Sequence, residues 1–267
     1  MRLSEPAPAK LNLALHVRGK LPDRRHALET IFAFCVDGDR LEAEEGEEFR
    51  LELAGPFASD LADGDDNLVL LAAKRLAEVA EVGSGASLRL TKNLPVASGI
   101  GGGSADAAAA LRLLTRLWRI DPGFAQSVAP ELGSDVPACL LSMAAKGEGA
   151  GDQLQLVELG LASTPVLLVN PLVALSTGKV FAQWDGVDRG PLGEWREGRN
   201  DLEAPASRLV PQIGEILDWL KGQPGANFVR MSGSGATCFA LFDDEAARDA
   251  AAAYCPPNWW HLASVLR

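Results

Sequence analysis

Apolar and polar residues alternate along several short stretches of the chain, and this period of two predicts β-strands. In KLNLALHV (10–17), Leu11, Leu13, Leu15 and Val17 would face a core while the residues between them face solvent. Strands are also predicted at 27–36, 49–54, 86–92, 152–159, 164–170, 227–231, 237–242 and 259–266.

Apolar residues spaced three and four apart predict helices between these strands. The helix at 67–80 would be capped by Asp66 or Asn67, and a helix from about Ser104 to Trp118 follows a glycine-rich loop. Further helices are predicted at 123–132, within 133–142, and at 176–184, 202–209, 212–221 and 243–254. Strands and helices mix without a regular βαβ order, which favours an α+β fold.

A change of composition at GEGAG, near residues 147–151, predicts a boundary between a domain at 1–150 and a domain at 151–267. With 47% apolar and 23% charged residues, the chain of 267 residues can bury a core. The apolar run LVLLAA at 68–73 is far shorter than the roughly 18 residues that span a bilayer. Asn12 and His16 interrupt the apolar N-terminal segment, so no signal peptide is predicted.

The four cysteines lie far apart, with neither metal-site nor redox spacing, which predicts buried, reduced thiols. Because neither a membrane span nor a signal peptide is predicted, a cytoplasmic location is expected. A net charge of −11 argues against nucleic-acid and anionic-membrane partners. No protein partner is evident. The charge is uneven, because residues 1–25 carry six basic and two acidic side chains, while residues 37–48 carry seven acids. A small anionic ligand at the N-terminal segment and an unevenly charged, solvated surface both remain open.

The stretch GIGGGSADAAAAL at 99–111 places glycines directly before a helix. A helix start has about four N–H groups without helical partners, and glycines let the backbone bring them close to an anion. The loop therefore predicts a phosphate site, with a flexible turn before a packing helix as the alternative. Ser104 would cap the helix or face a phosphate or its Mg²⁺, and Asp106 would favour the dipole of the first turn.

Better-known motifs do not fit this loop. A dinucleotide fingerprint would need a glycine at Ser104, and a Walker A loop would need a lysine after the glycines. The sequence also contains neither H-E-x-x-H nor a G-x-S-x-G nucleophile turn. The loop is therefore predicted to bind phosphate in another way.

Three separated motifs resemble the GHMP kinase superfamily of small-molecule kinases: PAKLNLAL at 8–15, LPVASGIGGGSADAA at 94–108 and MSGSGATCFALF at 231–242. Within it, NLV at 67–69, GSDVP at 133–137 and NDLE at 200–203 are similar to the branch that phosphorylates a cytidine-diphosphate-linked methylerythritol in isoprenoid precursor synthesis. The resemblance implies a two-domain fold, with an N-terminal ATP-binding domain, a C-terminal substrate domain and a ligand cleft between them.

The resemblance also implies roles for individual residues. Asp135 would be the catalytic base with Lys10 as its partner, whereas taken alone Lys10 could be a strand lysine and Asp135 a helix cap. Asn67 and Lys92 would lie near the nucleotide base, and Ser104 is a candidate ligand of the Mg²⁺ that accompanies ATP. The residues that would wrap the ATP phosphates are Pro95, Val96, Ala97, Ser98, Gly99, Ile100, Gly101, Gly102, Gly103, Ser104 and Ala105.

For the alcohol substrate, the resemblance implies contacts from Asn12, His26 and Phe181, with Gly233, Ser234 and Gly235 closing the cleft. Phe181 could equally be a core aromatic of an amphipathic helix. The chain departs from the family at Asp23-Arg24-Arg25-His26, where the family has Asp-Gly-Tyr-His and its tyrosine stacks on cytosine. We expect Arg25 to take over that stacking, with solvent-exposed arginines on a loop as the alternative. A GHMP kinase with another alcohol substrate and an inactive nucleotide-binding homologue are the competing functions.

Overall fold

The computed structural model describes residues 2–61 and 66–267. Within it the chain forms two compact units, each assembled from separated stretches. Unit 1 consists of Met1–Ala9, Asp37–Val96 and Gly101–Ser142, and unit 2 of Lys10–Val36, Ala97–Ile100 and Met143–Arg267. The long strands β1 (Leu3–Lys20) and β2 (His26–Gly46) contribute residues to both units. The division into an ATP domain at 1–150 and a substrate domain at 151–267 stays a prediction.

Unit 1 combines a sheet with helices that pack on one another. The second half of β2 pairs antiparallel with β4 (Gly85–Thr91), with Leu41 opposite Leu90, and β4 pairs in parallel with β3 (Arg50–Ala54). Helix α2 packs against both α1 and α4, and its alanine run, Ala107–Ala110, is buried. The helices are α1 (Leu68–Val79), α2 (Gly102–Trp118), α3 (Pro122–Leu132) and α4 (Val136–Leu141).

Unit 2 contains an antiparallel sheet with the strand order β10-β7-β9-β8. Helices α7 and α8 pack on this sheet. Elsewhere in the unit, the first half of β2 pairs with β5 (Ala145–Glu148), which pairs with β6 (Gln153–Leu156). The other elements are β7 (Pro165–Asn170), α5 (Thr177–Ala182), α6 (Glu203–Leu209), α7 (Gln212–Lys221), β8 (Ala226–Met231), β9 (Cys238–Phe242), α8 (Glu245–Ala253) and β10 (Trp260–Val265).

Side-chain caps and apolar spacing explain where these helices form. The Asn67 side chain accepts a hydrogen bond of 2.9 Å from the Val69 N–H, which confirms Asn67 as the cap of α1. In α7 the residues Ile213, Ile216, Leu217 and Leu220 are buried, as their spacing of three and four residues predicts. None of the helices in residues 2–61 and 66–267 has the length and apolar character that a bilayer crossing requires.

The structure corrects several predicted elements. Helix α2 begins at Gly102, so Gly101 and not Ser104 precedes it, and Asp106 lies beyond the first turn. Strand β2 continues ten residues past the predicted end at residue 36, and β5 was not predicted. The dense acids of the β2 extension hid its alternation, because a run of charge is typical of a solvated surface.

Candidate active site

The glycine loop bends through left-handed positions before α2 begins. Ala97, Gly99 and Gly101 have φ angles of 51°, 78° and 66°, a region that glycine enters at little cost and other residues rarely adopt. Gly102 is already helical. The Ala105 N–H donates to the Gly101 carbonyl at 2.8 Å as α2 starts. The loop therefore leads straight into a helix N-terminus, whose N–H groups and dipole favour an anion.

Part of this loop is held by the second glycine-rich motif within unit 2. The Ser98 carbonyl accepts hydrogen bonds from Thr237, at 3.1 Å from the backbone N–H and 2.7 Å from Oγ1. The Gly99 carbonyl accepts one from Ser232 Oγ at 3.0 Å. Two motifs more than 130 residues apart in sequence are thus joined by hydrogen bonds.

Glycines occur where these two loops approach most closely. A Cβ atom on Gly99 would lie 2.5 Å from the Gly235 carbonyl oxygen, and one on Gly233 would lie 2.7 Å from the Gly99 carbonyl oxygen. Gly233 and Gly235 also have positive φ angles, 56° and 84°. Ser234 Oγ lies 2.9 Å from Thr177 Oγ1 at the start of α5. Backbone packing therefore accounts for these glycines, and their contact with substrate stays a prediction.

Lys10 and Asn12 are neighbours on the same face of β1. Lys10 Nζ donates to Asn12 Oδ1 at 2.9 Å and lies 5.3 Å from the centre of the Phe32 ring. Asn12 Nδ2 donates to Thr30 Oγ1 at 2.8 Å, and the Asn12 N–H donates to Ser232 Oγ at 3.1 Å. Both side chains are buried, so Asn12 fixes the direction of the Lys10 ammonium and links β1 to the second glycine motif.

Asp135 precedes α4 and is half-buried. Its carbonyl accepts from the Cys139 N–H at 3.0 Å, but its side chain makes no capping hydrogen bond to the helix. Asp135 therefore occupies the N-cap position of α4 without capping it through its side chain, so side-chain capping does not explain an aspartate here. Its pairing with Lys10 and its role as base stay predictions.

Lys92 is buried in unit 1 between two carboxylates. Its Nζ lies 2.5 Å from Asp39 Oδ2 and 2.6 Å from Asp106 Oδ2, and these side chains are at most 3% exposed. Burial lowers the pKa of Lys92, but the charges of Asp106 and Asp39 outweigh it and the net direction is upward. Burial raises the pKa of Asp106 to about 8, against the attraction of Lys92. We call Asp39, Lys92 and Asp106 the buried triad.

The remaining residues predicted to bind ATP are Asn67 and other members of loop 95–105. The Asn67 side chain is committed to the cap of α1, and Ile100 is buried with its carbonyl accepting from the Lys10 N–H at 3.0 Å. Ser104 is half-buried in the first turn of α2. Of the other loop residues, Pro95 and Ala105 are buried, Val96 is half-buried and Gly103 is exposed. Their contacts with ATP stay predictions.

An aromatic cluster in unit 2 contains two of the residues predicted to contact substrate. His26 stacks on Phe181 with ring centres 4.4 Å apart and planes at 21°, and Trp184 meets His26 edge-on at 5.7 Å. Burial and, to a lesser extent, the charge of Lys20 lower the pKa of His26 below 6.5. This shift favours the neutral imidazole. Sequence reasoning missed Trp184, which lies three residues after Phe181, just beyond the end of α5.

Arg25, next to this cluster, lies on the exposed turn between β1 and β2. Its Nε donates to Asp23 Oδ2 at 2.7 Å, and its Nη1 donates to Asp152 Oδ2 at 3.2 Å. About half of the side chain is exposed. Asp23 and Asp152 therefore hold the guanidinium of the residue that directly precedes His26. Its stacking on a base stays a prediction.

Sequence reasoning also missed the role of Asn200 in NDLE. Its Nδ2 donates to the carbonyls of Met231 and Gly233, each at 2.8 Å. The next residue, Asp201, accepts from the Val17 N–H at 2.8 Å. The motif therefore braces the second glycine loop against β1. No local sequence signal points to these contacts, because they join residues about 30 positions apart.

Mg²⁺ bound with ATP would need few ligands from this chain. In the described part of the chain, no three His, Cys, Asp or Glu side chains are grouped so that they could hold a metal ion. Mg²⁺ usually keeps several waters and takes its other oxygens from phosphates and one or two protein groups. The Ser104 hydroxyl at the start of α2 fits such a contribution.

Comparisons with known proteins cover the whole chain. Residues 67–143 match the family model of the N-terminal domain of GHMP kinases, and residues 186–260 match that of their C-terminal domain. A protein of Rhizorhabdus wittichii named 4-diphosphocytidyl-2-C-methyl-D-erythritol kinase is 54% identical, over 100% of this chain and 96% of its own length. One of the same name from Novosphingobium aromaticivorans is 50% identical, over 100% of this chain and 94% of its own.

Solved structures agree with this result. A crystal structure of 4-(cytidine 5'-diphospho)-2C-methyl-D-erythritol kinase superposes with a TM-score of 0.84 at 31% identity, covering 100% of this chain and 99% of the other. A homoserine kinase from Cytophaga hutchinsonii has a TM-score of 0.71 at 17% identity, covering 99% of this chain and 95% of its own, which shows a shared fold only. The predicted α+β fold is confirmed.

Proposed function

Because the chain belongs to the 4-diphosphocytidyl-2-C-methyl-D-erythritol kinases of the GHMP kinase superfamily, we propose that it transfers the γ-phosphoryl group of MgATP to the 2-hydroxyl of that cytidylyl alcohol. The reaction is a step of the non-mevalonate route to isoprenoid precursors, and we expect it in the cytoplasm. The observation that carries the proposal is the relationship at 54% identity over the full chain, together with a glycine loop that leads into a helix N-terminus.

The glycine loop supplies the phosphate site in this proposal. Phosphoryl transfer depends on positioning and on neutralising charge more than on covalent chemistry. The loop and the start of α2 offer backbone N–H groups, and Mg²⁺ supplies positive charge to the phosphates when bound. Ser104 is the hydroxyl that we expect nearest to the ion. As the acceptor oxygen bonds to the γ-phosphorus, the bond to the bridging oxygen of ADP breaks.

Asp135 accepts the proton of the attacking 2-hydroxyl. Lys10 orients the carboxylate and adds positive charge beside the phosphoryl group that is transferred. Positioning of this kind is what phosphoryl transfer chiefly requires. Asn12 supports this role, because its Oδ1 accepts from Lys10 Nζ and fixes the direction of the ammonium.

His26 and Phe181 hold the cytosine of the substrate. A neutral imidazole has one N–H donor and one acceptor nitrogen, which suit the polar edge of a base. Aromatic faces stack on bases with a gain of about 1–3 kcal/mol for each base. Trp184 fixes the His26 ring through its edge-on contact. Gly233, Ser234 and Gly235 contact the substrate from the second glycine motif.

The test measures ADP release with the purified protein, MgATP and a panel of alcohols. We expect turnover with the cytidylyl alcohol, and we expect Asp135→Asn to lower kcat by roughly 10²–10⁴ while ATP binding remains. Turnover with homoserine or mevalonate instead would indicate another GHMP kinase activity. ATP binding without turnover on any alcohol would indicate an inactive homologue. Near wild-type turnover in Asp135→Asn would show that the base is assigned wrongly.

A further inference from the structure

The buried triad places three ionisable groups where charge is costly. Asp39, Lys92 and Asp106 are 2%, 1% and 2% exposed. Buried ionic groups contribute little net stability, because desolvation offsets their attraction, and apolar replacements are often equally stable. A contribution to stability therefore does not explain this arrangement in the core of unit 1. The position of the triad suggests another role.

The triad joins the two ends of loop 95–105. At one end, Asp39 Oδ1 accepts from the backbone N–H groups of Asn93, at 2.5 Å, and Leu94, at 2.8 Å, directly before Pro95. At the other end, Asp106 directly follows Ala105. Lys92 Nζ donates to both aspartates. The chain of contacts thus runs from the residue before the loop, through the ammonium, to the residue after it.

The first residue of α2 lies against the same ammonium. A Cβ atom on Gly102 would be 3.0 Å from Lys92 Nζ, which is closer than nearly all such contacts in proteins. The ammonium donates to two carboxylates and is walled off by protein, so it can reach the base of a nucleotide only by breaking both ion pairs. Any influence of Lys92 on ATP must therefore pass through the backbone that it holds.

We propose that Asp39, Lys92 and Asp106 are positioning residues, which hold the two ends of loop 95–105 in one geometry and so set the affinity for ATP. The inference rests on the proposed function for its ATP consequence. Phosphate recognition by backbone N–H groups requires fixed directions, and a loop that is already held in its binding geometry loses less conformational freedom when ATP binds. Hydrogen bonds with charged partners are short and directional, which suits them to this task.

Asp39→Asn is the main test. An amide has one acceptor oxygen, whereas Asp39 uses both carboxylate oxygens, so an N–H group would face either the ammonium or the two backbone donors. We expect KM and Kd for ATP to rise about 10-fold or more, as for one lost charge-assisted hydrogen bond. The kcat at saturating ATP and the KM for the cytidylyl alcohol should stay near wild type. Asp106→Asn, which leaves the contacts of Asp39 in place, should raise the KM for ATP less.

Glu5→Gln is the matched control. Glu5 is also a buried carboxylate of unit 1, but it is paired at 2.6 Å with each of Arg112 and Arg116 of α2 and not with the ends of the loop. We expect this variant to lose stability without a change in KM for ATP. A matching result for Asp39→Asn, with lower stability and unchanged KM, would overturn the positioning role.

Hydrogen exchange of the loop amides separates this inference from the proposed function, because it needs no nucleotide. Asp39→Asn and Asp106→Asn should accelerate exchange in residues 95–105, and Glu5→Gln should not. If Asp39→Asn does not fold, Asp106→Asn provides the same comparison. Unchanged exchange in the folded triad variants would overturn the inference whatever the activity. If the variants change exchange as expected but the wild-type protein does not bind ATP, only the proposed function is refuted.

Discussion

Replacing Gly99 by alanine is expected to force the two glycine loops of unit 2 apart. Gly99 has a φ angle of 78°, and its Cβ would lie 2.5 Å from the Gly235 carbonyl oxygen and 2.7 Å from both the Gly235 nitrogen and the Ser232 oxygen. These are backbone atoms, so no side chain can rotate away. Since ordinary contacts of this kind lie at about 3.5 Å, the loops would have to separate by about 1 Å.

The cost follows from two separate contributions. An alanine in the left-handed region costs about 1–2 kcal/mol. Separation weakens the two hydrogen bonds that the Ser232 and Thr237 hydroxyls donate to the loop carbonyls, at about 0.5–1.5 kcal/mol each. The free energy of unfolding should therefore fall by about 2–5 kcal/mol.

Gly186→Ala isolates the backbone strain from the close approach. Gly186 lies in the same unit with the same φ angle of 78°, and no atom lies within 4 Å of its Cβ position. We expect this variant to lose only about 1–2 kcal/mol. Urea unfolding with unchanged m-values would measure both losses. Equal losses in the two variants would refute the claim that the loops are tightly joined at Gly99.

Further predictions concern the substrate cluster and the loop. An NMR titration should give His26 a pKa below 6.5, and Lys20→Met should raise that pKa. Because the pKa is lower in the folded state than in the unfolded state, the stability that this group contributes is lost as the pH falls below about 6.5. Arg25→Ala should raise the KM for the cytidylyl alcohol about 10-fold without changing that for ATP, and Arg25→Tyr should restore it with weaker salt dependence; equal KM values in wild type and Arg25→Ala at low and moderate salt would exclude stacking. In urea unfolding, Gly102→Ala should be less stable than Gly103→Ala, because its Cβ would lie 3.0 Å from Lys92 Nζ, whereas that of Gly103→Ala would meet only one side-chain atom at 3.4 Å. Equal stability would show that the Lys92 side chain moves aside at little cost.

The sequence predicted elements whose cause is local. Helix α2 follows from its run of alanines and leucines, and α1 from an asparagine cap that the structure confirms. The strands β7 and β9 are short apolar runs with clear ends. In each case the residues that decide the conformation lie within one or two turns of each other, so their pattern can be read without tertiary information.

Contacts between distant segments could not be predicted in this way. The Lys92 ammonium donates to Asp39, which lies 53 positions earlier in the sequence, and no pattern around either residue predicts this pair. The hydrogen bonds from Asn200 to the second glycine loop likewise join residues about 30 positions apart. No local period encodes such pairs, because they depend on how strands and helices meet after folding.

Asp39 shows how two physical signals can compete within one segment. Residues 37–48 contain seven acids, and charge density favoured a solvated surface. The same segment alternates with a period of two, and Asp39, Leu41 and Ala43 all point into unit 1. A strand buries every second residue whatever its charge, so an aspartate in the inward register must find a cation, and Lys92 provides it. The buried acid thus follows from the register of β2, which requires its neighbours along the strand to face solvent.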